Sequence, residues 1–133
     1  MFEDGLIHRT ARNELVRSKS EVIIADRLSS LKVEYAYERE LKIDDMSKFP
    51  DFTIEDAESG RSIYWEHCGM LHVPAYKRRW EEKLQWYRSH GIVPYEDGTG
   101  SRGTLIVTRD DERGAISSAD IERIIKTAVL QKE

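Results

Sequence analysis

The stretch from Pro50 to Cys68, PDFTIEDAESGRSIYWEHC, constrains the fold more than any other part of the chain. Two apolar runs, 51–54 and 62–67, flank a polar segment at 56–61 in which Ser59-Gly60 marks a turn. This pattern predicts an antiparallel hairpin, and a turn centred on Glu58 and Ser59 sets Asp51 opposite Glu66. A helical pattern follows at 74–90, with Pro74 where a first turn tolerates it and Gly91 just past the end. The run TLIVT at 104–108 then reads as a short buried strand. A long helix between the third and fourth strands makes a mixed sheet flanked by helices the natural closure.

The rest of the chain fits around this centre. Residues 11–31 repeat Ile24, Ala25, Leu28 and Leu31 at three- and four-residue steps, which predicts a helix. Residues 33–43 alternate apolar and polar side chains as a half-buried strand does, and 44–47 make a turn. Ser118 reads as the N-cap of a last helix running to Val129. The expected fold class is therefore α/β, a mixed central β-sheet flanked by helices in the order α-β-β-β-α-β-α. One domain is expected over 1–133, with a core at about 14–130 and flexible segments at 1–10 and 91–103.

With 133 residues there is enough chain for one core. No run of about 18 apolar residues is present, which excludes a helical membrane span. The first twenty residues lack the apolar centre of a signal peptide, and one cysteine, Cys68, suits a reducing compartment. A cytoplasmic location is the expectation. The net charge of −4 is unevenly spread. Arg9, Arg12, Arg17 and Lys19 make an early basic segment, Lys77, Arg78, Arg79, Lys83 and Arg88 a later one, and acids dominate 51–60. Such an arrangement suits either solvated helix faces or a phosphate-tracking groove around a cation site.

Three acids fall where burial is expected. On a helical projection of 14–31, Glu21 shares a stripe with Ala25 and Leu28. A carboxylate taken out of water must be paired, protonated or bound to a metal. Arg17 could pair with it, or Ser18-Lys-Ser-Glu21 could be a capping box. Asp51 and Glu66 sit on neighbouring strands, where two carboxylates repel unless a cation lies between them. An oxygen-rich cluster of that kind suits Mg²⁺ or Mn²⁺. On the helix at 74–90, Tyr76, Trp80, Lys83 and Tyr87 share one stripe. Lys83 there either reaches solvent, sits over a ring, or turns to the carboxylates.

Glu21 on the first helix, Pro50-Asp51, and Glu66-His67-Cys68 on the following strand resemble the PD-(D/E)XK nuclease superfamily, the restriction-endonuclease-like fold. RSKSE at 17–21, FPDFTI at 49–54 and YWEHCGM at 64–70 look more narrowly like a bacterial subgroup often attached to helicases and other DNA-processing modules. The resemblance implies that Asp51 and Glu66 ligate Mg²⁺ or Mn²⁺ with the backbone carbonyl of His67, and that Glu21 is an additional ligand. It implies hydrolysis of phosphodiester bonds in DNA, with a helicase or other module as partner in the same or another chain. A homodimer is possible in such a scheme.

Cys68 departs from that pattern, because the superfamily expects lysine two residues after the strand glutamate. Some members carry the lysine on the next helix, which makes Lys83 the candidate, with Lys77 in reserve. Catalytic roles are thus expected for Glu21, Asp51, Glu66 and Lys83. DNA contacts are expected from Arg17, Lys19, Lys77, Arg78, Arg79 and Tyr87, with His67 and Gln85 as accessories. A thiol and imidazole site from His67, Cys68 and His72 is a minor alternative. The functional expectation is a metal-dependent nuclease, more an endonuclease than an exonuclease, of a repair, restriction or phage-defence system. The alternative is an inactive nuclease-fold module that binds DNA or docks onto a protein.

Overall fold

The structure, a computed structural model, describes residues 5–130. Residues 1–4, part of the segment expected to be flexible, lie outside the described residues. In chain order the elements are β1 (His8–Arg9), β2 (Leu15–Val16), α1 (Lys19–Ser30), β3 (Ala36–Tyr37), β4 (Leu41–Ile43), β5 (Met46–Lys48), β6 (Phe52–Glu55) and β7 (Ser62–Cys68). They continue with α2 (Pro74–Ser89), β8 (Ile92–Pro94), β9 (Gly103–Arg109) and α3 (Ser118–Ile124). A π-helical turn, Ile125–Val129, extends α3. None of these helices is long and apolar enough to cross a membrane.

The chain forms two compact units, one from residues 1–34 with 110–133 and one from Tyr35–Arg109. In the first, β1 and β2 form a small antiparallel hairpin, and α1 packs with α3. Ile24, Ala25 and Leu28 of α1 and Ile121 of α3 are buried, and Arg27 bonds Glu122 across the helix pair at 2.9 Å. The helix expected over 11–31 begins only at Lys19. Leu15 and Val16 pair with β1 instead, and Ser18 caps α1 by accepting the amide of Glu21 at 3.1 Å. The last helix, by contrast, starts one residue earlier than expected, with Ser117 rather than Ser118 as its cap.

The second unit is built on a five-stranded mixed sheet, β3-β6-β7-β9-β8. β6 and β7 pair antiparallel with Phe52 opposite Trp65 and Ile54 opposite Ile63. That register is the one a turn centred on Glu58 and Ser59 dictates. β9 runs parallel to β7, and β8 parallel to β9. α2 covers one face, packing Trp86 and Tyr87 against Tyr64, Leu105 and Ile92. Ile63, Trp65 and Ile106, which alternate with that set, are fully buried too. Burial of alternate residues on both faces accounts for the nearly unbroken apolar run of β7.

Two sequence expectations change here, so the observed order is not a plain α-β-β-β-α-β-α. The strand expected over 33–43 is broken at Glu38, whose φ of 52° is left-handed. β3 ends before that point, and β4 turns away to pair with β5 through Asp44 and Asp45, at φ 52° and 65°. Positive φ at both turn residues matches the twist of a two-residue hairpin. The period-two pattern runs straight through Glu38, so nothing in it marks the bend. The second change is β8, inside the segment expected to be a loop. Its Pro94 lacks the amide of a ladder residue, which an edge strand tolerates. Gly91, at φ 79°, ends α2 by donating to Arg88 O at 3.2 Å and lets the chain turn into β8.

Candidate functional site

The register of β6 and β7 carries one step further to set Asp51 beside Glu66, at the end of the hairpin remote from its turn. Asp51 sits where the chain enters β6, and its Oδ2 accepts the backbone N–H of His67 at 2.6 Å. This charge-assisted bond fixes the Asp51 carboxylate against β7 and orients the peptide that follows Glu66. Pro50 is buried just before it.

Glu66 lies on the α2-covered face of β7 and is 5% exposed. Two groups from α2 converge on its Oε2: Lys83 Nζ at 2.6 Å and the Tyr87 hydroxyl at 2.5 Å. Positions 83 and 87 are one helical turn apart, so both face the same strand residue. Of the three sequence possibilities for Lys83, the turn toward the carboxylates is the one observed. Burial pushes the Glu66 carboxyl above its ordinary value, against the lowering pull of Lys83 and of the bonds from Lys83 and Tyr87. Burial and the adjacent Glu66 charge also push the Tyr87 phenol well above its usual range, so it remains a donor.

His67 points to the opposite face from Glu66, as strand alternation requires. Its Nδ1 lies 2.9 Å from Thr108 Oγ1, which also accepts the indole N–H of buried Trp65 at 3.0 Å. The ring is therefore packed against the strand end, while its backbone N–H serves Asp51. Cys68 is buried, and burial together with the Glu66 and Asp51 charges pushes its thiol up to about 12. A thiol so held stays protonated at neutral pH in the metal-free protein, so it is no ready nucleophile. Among the described residues no three His, Cys, Asp or Glu side chains gather as a metal-ligand set. What Asp51, Glu66 and main-chain oxygens could hold is a hard cation with water in its other positions.

The remaining expected residues lie on or beside α1 and on α2. Glu21 belongs to the first unit, where its Oε1 accepts the Ser18 hydroxyl at 3.1 Å and the Arg17 amide at 3.2 Å. Ser18 thus caps the helix as the capping-box alternative requires, while the Glu21 carboxylate returns to the Arg17 amide and the Ser18 hydroxyl. Arg17 is half-buried beside that cap, and Lys19 is exposed on the first turn of α1. Lys77, Arg78, Arg79 and Gln85 are exposed along α2. Arg88 is engaged with Asp97 at 2.8 Å. Lys77 is thus on the solvent side of the helix, and Lys83 is the lysine that reaches Glu66.

A pocket of about 170 Å³ opens beside Glu66 and Lys83, lined also by Cys68, Tyr76, Arg79 and Trp80. The sequence stripe Tyr76-Trp80-Lys83-Tyr87 thus divides into an inner pair that bonds Glu66 and an outer pair that walls a cavity. Thr108 is the residue sequence reasoning missed. Its partnership with His67 and Trp65 depends on the parallel register of β7 and β9, for which the run TLIVT carries no mark.

No family model matches this chain, and no solved structure matches it. An uncharacterized protein of Methanocaldococcus jannaschii is 36% identical to it over 84 residues. Those residues are 62% of this chain and 7% of the relative, so the chain resembles one short portion of a much longer protein.

Proposed function

We propose that this chain is a divalent-metal-dependent nuclease domain of PD-(D/E)XK type that hydrolyses phosphodiester bonds in DNA. The observation that carries the reading is the convergence of Asp51, Glu66 and Lys83 at one end of the central strand pair β6–β7. Asp51 is set against Glu66 by the hairpin register, and Lys83 comes from the next helix to within 2.6 Å of Glu66. The departure at Cys68 is thereby accommodated, since the cation missing from the strand is supplied by α2.

In this reading Asp51, Glu66 and the His67 carbonyl would hold Mg²⁺ or Mn²⁺. Such a cation, when bound, lowers the pKa of an attacking water and neutralises charge on the phosphate. The chain's own residues do the rest. Asp51, tied to the His67 amide, keeps its carboxylate in place without reorganisation. Tyr87 holds the Glu66 carboxylate in one orientation. Lys83, a quarter exposed at its side chain, presents positive charge both to Glu66 and to the adjoining pocket, where a phosphate would develop negative charge. Lys77, Arg78 and Arg79 provide exposed cations along the same helix for the nucleic-acid backbone. The length of the relative suits a domain that works within a larger DNA-processing chain.

Cleavage of plasmid and oligonucleotide DNA, with Mg²⁺ or Mn²⁺ and with EDTA, tests the reading. Metal-dependent cutting should be abolished in Asp51→Asn and Glu66→Gln and reduced at least about 100-fold in Lys83→Ala. Cutting that survives both carboxylate changes, in protein freed of contaminating nuclease, overturns it. If no form of DNA is cut, the chain is a binding or docking module on the same scaffold.

A further inference from the structure

We propose that the pocket walled by Tyr76, Arg79 and Trp80 is a subsite for an unpaired nucleobase, so that the substrate is single-stranded nucleic acid or a strand with a splayed base. The proposal rests on the reading of Asp51 and Glu66 as the cutting centre and adds what that centre accepts.

Three features of the pocket carry it. First, its walls suit a flat polar ring. Trp80 and Tyr76 lie four residues apart on α2 and face the same cavity of about 170 Å³. Trp80 is itself backed by the core cluster around Trp86 and Tyr87. A ring held from behind is a rigid platform, and base stacking on such platforms is tolerant of sequence. The Tyr76 hydroxyl accepts from the backbone of Gly69, which steadies that ring beside Trp80, and burial pushes its phenol up to about 12, leaving it neutral.

Second, the cations are disposed for one phosphodiester beside one base. Arg79 is exposed at the pocket and Lys83 lines it next to Glu66. A guanidinium binds phosphate in a two-pronged fashion and also stacks on aromatic faces. Neither a lipid chain nor an apolar peptide side chain calls for two cations and a carboxylate around a cavity this small.

Third, a base can reach Trp80 only when it is out of the duplex, because paired bases have both faces covered by their neighbours. The pocket shares Glu66 and Lys83 with the proposed cutting centre, so a base seated in it brings an adjacent phosphate to the carboxylates. Double-stranded DNA would meet the exposed cations of α2 without filling the pocket.

The experiment is fluorescence anisotropy of a labelled oligothymidylate and of a blunt hairpin duplex of equal charge, in EDTA so that cutting plays no part. The single strand should bind more tightly than the duplex. Trp80→Ala should weaken single-strand binding about ten-fold, Trp80→Phe much less, and neither should alter duplex binding. Because Trp80 touches the core, its variants are accepted only if their thermal unfolding remains cooperative. Arg79→Ala, an exposed change, gives an independent reading and should weaken single-strand binding several-fold. Single-strand binding unchanged in both Trp80→Ala and Arg79→Ala, or duplex binding weakened equally, overturns the proposal. A wild type that binds single strands through Trp80 yet never cuts would leave the subsite standing and sink the nuclease reading. One that cuts with Mg²⁺ regardless of Trp80 would do the reverse.

Discussion

The ammonium of Lys83 stands 2.6 Å from Oε2 of Glu66, although the two residues lie on a helix and a strand separated by a loop. Glu66 is almost wholly buried and Lys83 a quarter exposed, so the carboxylate depends on this lysine for much of its compensation. Lys83→Met should therefore destabilise the metal-free protein by about 1–3 kcal/mol, less than a fully buried pair because solvent screens the lysine. Adding Glu66→Gln should recover part of that loss. Urea unfolding of the two single variants and the double variant measures the coupling, and strict additivity would show that the pair contributes nothing.

Tyr87 has no exposed surface, and its hydroxyl meets the same Glu66 oxygen at 2.5 Å. Tyr87→Phe keeps the ring in the core and removes only that bond. A loss of about 1–2 kcal/mol is expected at pH 7, where the carboxylate is left with one donor fewer. Under the proposed function the same variant should cut more slowly through a less well oriented Glu66, with substrate binding unchanged. A slower rate accompanied by an equal rise in KM would instead point to a lost substrate contact.

The raised carboxyl of Glu66 has a pH consequence of definite sign. A folded-state pKa above the ordinary 4.5 means the folded protein holds its proton more tightly than the unfolded chain does. The stability this gives is complete below pH 4.5 and is lost as pH rises through the folded value. Glu66→Gln has no proton to lose. Its stability relative to wild type should therefore improve as pH rises above 4.5, measured by denaturation in EDTA. A difference that stays flat with pH would contradict the assignment of burial as the dominant cause.

Cys68 gives a separate check on the end of β7. Its thiol is pushed up to about 12 and is buried, so it should label far more slowly with a disulfide reagent at pH 8 than the same thiol in urea. Native labelling as fast as that of the unfolded chain would mean that β7 does not hold Cys68 as described.

How much of this was legible in the sequence depended on whether the signal was local. The β6–β7 register followed from Ser59-Gly60 and two apolar runs, because a hairpin is fixed by its turn. α2 followed from its stripe, Pro74 and Gly91, while that stripe left three possibilities for Lys83, of which the turn toward the carboxylates is the one observed. The bend at Glu38 was illegible, since a non-glycine residue with positive φ bears no sequence mark and the alternation continues through it. β8 was hidden by its brevity and by Pro94. The start of α1 was overrun because Leu15 and Val16 fit a helical spacing as well as they fit β1. Thr108 became visible only with the parallel register, a long-range fact that no local pattern encodes.

The central claim is that Asp51 and Glu66 form one cation site, and calorimetric titration of the purified chain with Mn²⁺ and with Mg²⁺ tests it before any substrate is known. Asp51→Asn is the informative variant, because its amide oxygen can still accept the His67 N–H while the charge is gone. The account predicts saturable binding in the wild type and its loss in both Asp51→Asn and Glu66→Gln. Equal binding in all three proteins, or none in the wild type at millimolar metal, would contradict it.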